Sequence, residues 1–274
     1  MTSIKLYRGG FGHVSVLNVA SDLVTHAHPE AHVIIWMAGV PGHMCVGERL
    51  VVPGPGTAVA INSFEPHSHT LSGDGGAGLF LALYINPDWV SRRCGVTAGP
   101  LFAEPEIAMA PWLSAAARHL YATLSSEAGP DDFTGFEIER LVDSLVDASR
   151  AQISRMSRVG TVTCHYDYRV RKAIELMKAN ICERICFDDL ARQAGLSRAH
   201  FFTLFKEQTG LTPNVYWNTL RMEEARRQLQ TSQDPLISVA CNLGFTTQGN
   251  FTRFFRDHVG VPPMQYREAA RNPH

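Results

Sequence analysis

Between Ile4 and Asn86 the apolar residues come in short runs: "HVSVLNV" (13–19), "HVIIWMAG" (32–39), "RLVV" (49–52), "TAVAIN" (57–62) and "GLFLALYI" (78–85). Glycine and proline punctuate them. Short apolar runs bounded in this way predict strands of an antiparallel β-structure, a barrel or a sandwich. The rhythm changes near Pro87. Residues 112–127 and 132–150 space their apolar positions as helices do. In the second stretch Phe133, Ile138, Leu141, Val142, Leu145 and Val146 form one stripe, with Asp131 or Asp132 placed to cap it. Residues 154–164 have no period and read as a linker. Beyond them every segment reads as helix. "YRVRKAIELMKANI" puts Val170, Ile174 and Met177 on one face. "FDDLARQAG" opens with Asp188 as N-cap and stops at Gly195, and "SRAHFFTLFKEQTG" opens at Ser197 and stops at Gly210. Thr212-Pro213 then opens a long helix to about Gln230, with proline at its first position.

The helical part repeats itself. "LARQAGLS" (190–197) matches "VACNLGFT" (239–246) at an offset of 49, and "FFTLFKEQTGLTPNVY" (201–216) matches "FTRFFRDHVGVPPMQY" (251–266) at an offset of 50. Each copy reads as short helix, Gly turn, second helix, Gly, then a proline-led helix start, which is helix-turn-helix grammar. The helix from Pro213 joins the copies. Two such units on one rigid helix can address successive major-groove segments about 34 Å apart on one face of DNA. Roughly residues 165–270 closely resemble the DNA-binding domain of AraC/XylS-family transcription regulators.

That resemblance, with helical phase, marks the side chains that would meet DNA. In the first unit Phe201, Leu204 and Phe205 face the core, and Arg198, Ala199, Phe202, Thr203 and Lys206 face outward. Ala199, Phe202 and Thr203 suit thymine methyls, although Phe202 can equally pack on a neighbouring helix. In the second unit Phe251, Phe254 and Phe255 face the core, and Gln248, Gly249, Thr252, Arg253 and Arg256 face outward. Arg253 suits a bidentate contact to guanine and Gln248 one to adenine. Lys206 and Arg256 suit phosphate.

Charge agrees with a division of labour. Residues 1–164 hold 10 Lys and Arg against 15 Asp and Glu, and residues 165–274 hold 15 against 11, within an overall net charge of −1. The length of 274 residues suits two domains. The apolar run around "HVIIWMAGV" is too short for a bilayer, and "MTSIKLYRGG" lacks a signal-peptide core, so the expected location is the cytoplasm, away from membranes. Six cysteines without a CxxC pair read as the idle thiols of a reducing compartment.

The chemistry in the first part is histidine. "THAHPEAHVIIW" carries His26, His28 and His32, and "SFEPHSH" carries His67 and His69. His26 and His28 share a strand face, and several imidazoles together would suit Zn, Cu, Fe or Ni. The order His-x-His, His, "GERLVVPGPG", His resembles the two cupin motifs, which would make His26, His28, His32 and His67 (or His69) ligands of a divalent metal such as Zn, Ni, Fe or Mn. His32 stands where cupins usually carry Glu, and "PGPG" departs from their Pro-x-Gly. The competing reading is a metal-free pocket for a small-molecule effector, with His26, His28, His32, Trp36, Phe64, His67 and Tyr84 as lining and Met37 and Phe80 as further apolar candidates.

The expected fold is therefore α+β and multidomain. A cupin-like antiparallel β-barrel spans 1–105, a helical segment 106–153, a linker 154–164, and an all-α domain of two helix-turn-helix units joined by a long helix 165–274. The helical stripe either packs on the barrel or pairs with a second copy, and the resemblance implies a homodimer through Ile138, Leu141, Val142 and Leu145. It also implies an effector-responsive regulator, an activator more than a repressor, that binds double-stranded promoter DNA and contacts RNA polymerase. No nucleophile–base pair stands out. The alternatives are a cupin metalloenzyme with a DNA-binding tail and a metal-sensing regulator.

Overall fold

The computed structural model describes residues 4–71, 76–94, 100–153 and 167–271, so the expected linker lies outside the described residues. The first part holds β1 (Ile4–Gly9), β2 (Gly12–Val19), β3 (Leu23–His26), β4 (Ala31–Gly39), β5 (His43–Val46), β6 (Arg49–Val51), β7 (Thr57–Ile61), β8 (His67–Thr70) and β9 (Gly78–Ile85). There follow α1 (Pro87–Cys94), β10 (Glu106–Ala108), α2 (Pro111–Ser125) and α3 (Thr134–Ile153). The strands make two antiparallel sheets, one ordered β1-β2-β9-β4-β7-β10 and one ordered β3-β8-β5-β6. Residues 106–108, expected to begin the helical segment, instead close the edge of the larger sheet against β7.

The larger sheet is covered on both faces, which is why its strands read as nearly continuous apolar runs. Val33, Ile35, Leu81, Leu83 and Ile85 pack against Leu113, Leu120, Ile138, Leu141 and Leu145 of α2 and α3. Ile34, Phe80 and Ala82, of opposite parity, pack against Met44, Val46 and Val51 of the smaller sheet. Ile138, Leu141, Val142 and Leu145 are thus buried within this chain and present no face to a second copy. Phe133 leaves the stripe: it precedes α3 and is 72% exposed, as are Trp112 and Phe136 for the most part. Asp131 does cap, its Oδ1 accepting from the backbone N–H groups of Phe133 and Thr134.

The last part is all helix: α4 (Tyr168–Ala179), α5 (Phe187–Gln193), α6 (Arg198–Thr209), α7 (Pro213–Thr231), α8 (Leu236–Asn242), α9 (Gln248–Val259) and α10 (Pro263–Arg271). The repeat in sequence is a repeat in geometry. Ser197 and Thr247 cap α6 and α9 by accepting from His200 N and Asn250 N. Gly210 and Gly260 end those helices at φ 74° and 83°, the left-handed conformation that favours glycine. Asp188 is not a cap: α5 begins one residue after Cys186, and Asp188 sits in its first turn. Each unit has its own core, Phe201 and Phe205 against Tyr216 in one, Phe251 and Phe255 against Tyr266 in the other. Arg221 of α7 ties the second turn to the connecting helix. It donates twice to the Leu243 carbonyl and lies 3.8 Å from the Phe245 ring.

The two parts share an interface. Leu6 of β1 belongs to the core of the second helical unit and Ala27 to that of the first.

Candidate functional site

The outward faces of α6 and α9 are the first candidate. On α6, Arg198, Ala199, Thr203 and Lys206 are exposed, and so is His200, which the helical phase had not singled out. Phe202 is half-buried. It lies edge-on to Phe187 at 5.7 Å and has the Arg198 guanidinium over its ring at 5.2 Å. Arg198 is also paired with Asp188 at 2.9 Å. On α9, Gln248, Gly249, Arg253 and Arg256 are exposed and Thr252 is half-buried. Arg253 donates to Asn250 Oδ1 at 3.1 Å, which aligns it along the helix, and Arg256 pairs with Asp257 at 3.1 Å. The buried phenylalanines hold both helices in place while the polar faces stay open. The arrangement can present hydrogen-bond donors to a groove.

The second candidate is the histidine cluster, in the space between the two sheets. His26 ends β3 and faces His67 across the β3–β8 pair, ring centroids 4.3 Å apart. His28 follows β3 and stands 4.8 Å from His26 and 5.2 Å from His67. One nitrogen of each of these three rings lies within 4.8 Å of the others. His32 of β4 adjoins them, 5.1 Å from His28 and 4.7 Å from His67. His69 does not join: its Nε2 lies 2.9 Å from the Pro41 carbonyl and its ring meets Phe80 edge-on. The choice between the two later histidines therefore falls on His67.

Backbone carbonyls set the tautomers. Nδ1 of His26 lies 2.6 Å from Val24 O and Nδ1 of His67 lies 2.9 Å from Glu65 O. A carbonyl only accepts, so Nδ1 carries the proton and Nε2 of the neutral ring is left with its lone pair. Burial, and then the neighbouring imidazoles, lower the pKa of His28 well below the ordinary value, and burial is also the leading cause that brings His32 and His67 to about 3. The cluster is therefore uncharged at neutral pH and rich in nitrogen lone pairs, the condition for binding a metal cation. Among the described residues the group contains imidazoles alone, with no thiolate and no carboxylate.

The remaining expected lining residues divide. Tyr84 stacks on His32 at 5.0 Å and on His13 at 4.3 Å, and burial raises its hydroxyl to about 12. Trp36 is half-buried at a bulge in β4 and donates to Gly39 O. Phe64, the one non-glycine residue at positive φ among those described, turns away and stacks on Tyr216 of α7 at 6.4 Å. Phe80 is buried between the sheets and Met37 packs on the helix side.

Two groups at this site carry no motif in the sequence. Arg226 of α7 is buried, hydrogen-bonded to Glu223 at 3.1 Å, 3.8 Å from Glu30 and 3.2 Å from the Tyr266 hydroxyl, and it reaches His13 Nε2 at 3.2 Å. A cleft of about 500 Å³ opens beside it between the two parts, bordered by Arg8, His13, Glu30 and Arg227. His258 of α9 approaches His26 to 5.9 Å. Only a signal linking distant residues could have found these groups; each sits among other polar residues of its own helix, and nothing local marks it.

Known proteins share parts of this arrangement. A family model described as a helix-turn-helix domain matches residues 190–269. The chain is 38% identical over 81 residues to an HTH-type transcriptional regulator of Mycobacterium tuberculosis, covering 30% of this chain and 31% of that protein. It is 33% identical over 91 residues to the probable transcription factor PqrA of Proteus vulgaris, covering 33% of this chain and 75% of that protein. The matched region spans less than half the length of the HTH-type regulators of Mycobacterium tuberculosis, Bacillus subtilis and Pseudomonas aeruginosa: 31%, 39% and 45%. An apo ToxT variant of Vibrio cholerae has a similar fold, with a TM-score of 0.56 at 11% identity over 96% of this chain and 99% of that one. Among the described residues no helix is long and apolar enough to cross a membrane.

Proposed function

Since the chain belongs to the AraC/XylS family of DNA-binding transcriptional regulators, we propose that α6 and α9 read promoter DNA and that a ligand held between the sheets adjusts that reading. The observation that carries the first half is the duplicated unit itself. Two capped helices, fifty residues apart, keep their phenylalanines inside and their polar faces open. Arg253 is the base reader, Gln248, Gly249 and Thr252 flank it, and Lys206 and Arg256 hold phosphate. Arg198, Ala199 and Thr203 line the first groove, with Phe202 as their support. Arg253→Ala should cost about 1–3 kcal/mol on the preferred sequence and little on others, measured by competition binding against random duplexes. An equal loss on every sequence would make Arg253 a phosphate contact.

The ligand reading rests on the histidine cluster. Three close-set neutral imidazoles, with His32 beside them and no charged donor in the group, favour a divalent transition metal of the Zn, Ni or Cu kind. His26, His28 and His67 would hold it, His32 being the neighbour able to join them. The metal would bring a fixed positive charge and a fixed geometry to the space between the sheets. Elemental mass spectrometry tests this: about one metal per chain is expected, lost in the His26→Ala/His28→Ala protein. An organic effector in the same pocket, lined also by Trp36 and Tyr84, is the reading that a metal-free but folded protein would favour. Activation through RNA polymerase follows from the family resemblance, and a promoter-reporter assay with and without the gene tests its sign.

A further inference from the structure

His258 lies in the last turn of α9, on a different side from Arg253, and is 6% exposed. Its Nδ1 lies 2.7 Å from the Phe254 carbonyl, so its proton is placed there and Nε2 keeps the lone pair. That Nε2 is buried and has no hydrogen-bond partner. Leaving a buried polar atom unpaired is costly, and an explanation is owed. The ring lies 5.9 Å from His26 at an interplanar angle of 63°, edge-on to the histidine cluster. His26 and His67 are prepared in the same way, with Nδ1 committed to a backbone carbonyl and Nε2 bare. Such carbonyl contacts to the other ring nitrogen orient ligating histidines and fix their tautomer. The same preparation recurs on a helix of the DNA-binding part, in a ring that packs on Phe254 at 4.3 Å and stands next to His26.

We propose that the metal held by His26, His28 and His67 takes His258 as a further ligand and so bridges the sheets to the second DNA-reading helix. This rests on the metal reading of the cluster given above. The bridge ties α9 to β3 and β8 through coordinate bonds between side chains more than 190 residues apart in sequence. Arg226 of α7, the cation that acts on His28 and His32, has its charge met by Glu223 and Glu30. A metal that prefers this closed arrangement shifts the position of α9 relative to the sheets. By linkage, any factor by which metal changes DNA affinity is the factor by which DNA changes metal affinity.

The test uses the full chain, stripped with chelator and titrated with Zn²⁺, and in parallel with Co²⁺ for its ligand-field absorption. The wild-type protein should bind about one ion. His258→Leu and His258→Asn should still bind one ion, at least about tenfold more weakly, with an altered Co²⁺ spectrum. His26→Ala/His28→Ala should bind none. Wild-type affinity and an unchanged spectrum in the folded His258 variants would overturn the bridge and leave the three-histidine site standing. No ion bound by the wild-type protein would overturn the site and the bridge together. Should both variants fail to fold, copper-directed oxidation of the wild-type protein decides. Oxidised His258 beside His26, His28 and His67 supports the bridge, and an intact His258 with the others oxidised overturns it.

Discussion

A single proton placement decides what the histidines can do. At His26 and His67 an Nδ1 committed to a carbonyl leaves Nε2 free to ligate, whereas the buried Nδ1 of His28 has no such partner, and burial keeps the rings neutral. The spacing His-x-His, His, His made the cluster legible as a group of candidates, but it did not separate His67 from His69. Their parity on β8 is the same, and only the Pro41 carbonyl beside His69 separates them. Asp167 shows the same economy at a helix start. It caps α4 by accepting from Arg169 N at 2.8 Å, and the Arg169 side chain, then that N–H, hold its pKa at about 2. A carboxyl depressed in the folded state stabilises above its unfolded value and loses that contribution as pH falls through its folded value. Asp167→Ala should therefore lower the thermal midpoint at neutral pH. It should also flatten the decline between about pH 4 and about pH 2, as followed by circular dichroism.

At the scale of elements, periodicity and capping decided most of the outcome. The strands were readable because Gly and Pro bound them, and the helix-turn-helix units because Ser, Thr and Gly stand where the backbone needs them. Gly210 adopts φ 74° with nothing within 4 Å of where a Cβ would stand, so Gly210→Ala tests the backbone alone. It should cost about 1–2 kcal/mol in urea unfolding. Phe201→Ala and Phe251→Ala remove fully buried rings from the two unit cores, and each should cost about 3–5 kcal/mol. Similar losses would confirm that the units are energetically equivalent; a much smaller loss in one would show that its core collapses around the gap. The stripe on α3 was visible, but its use was not. An apolar face offers itself equally to a sheet or to a second copy, and here Ile138, Leu141, Val142 and Leu145 found the sheet.

For the molecule as a whole, the interface between the sheets and the helical units is what ties its two parts together. Arg226 is its electrostatic centre. Removing one partner of a buried ion group leaves the other charges uncompensated, at a cost of about 3–5 kcal/mol. Arg226→Ala should therefore destabilise the full chain by that order, because Glu223 and Glu30 lose their common counter-charge. Adding Glu223→Gln to Arg226→Ala should restore part of it. Unchanged urea midpoints in both proteins would show that the interface is held by Leu6 and Ala27 rather than by charge.

What the sequence by itself determined is local: strand runs, the stripe of α3, the capped and glycine-ended helices, and a repeat that marks two helix-turn-helix units. These are written in neighbouring residues, and a helix or turn needs only neighbours to form. Tertiary structure alone decided which imidazoles meet, what the stripe of α3 packs against, what Phe202 packs on, and that Arg226 and His258 belong with His13 and His26. Those side chains come from strands and helices far apart along the chain. No periodicity couples them, and only the packing of the sheets against α7 and α9 brings them within reach of one another.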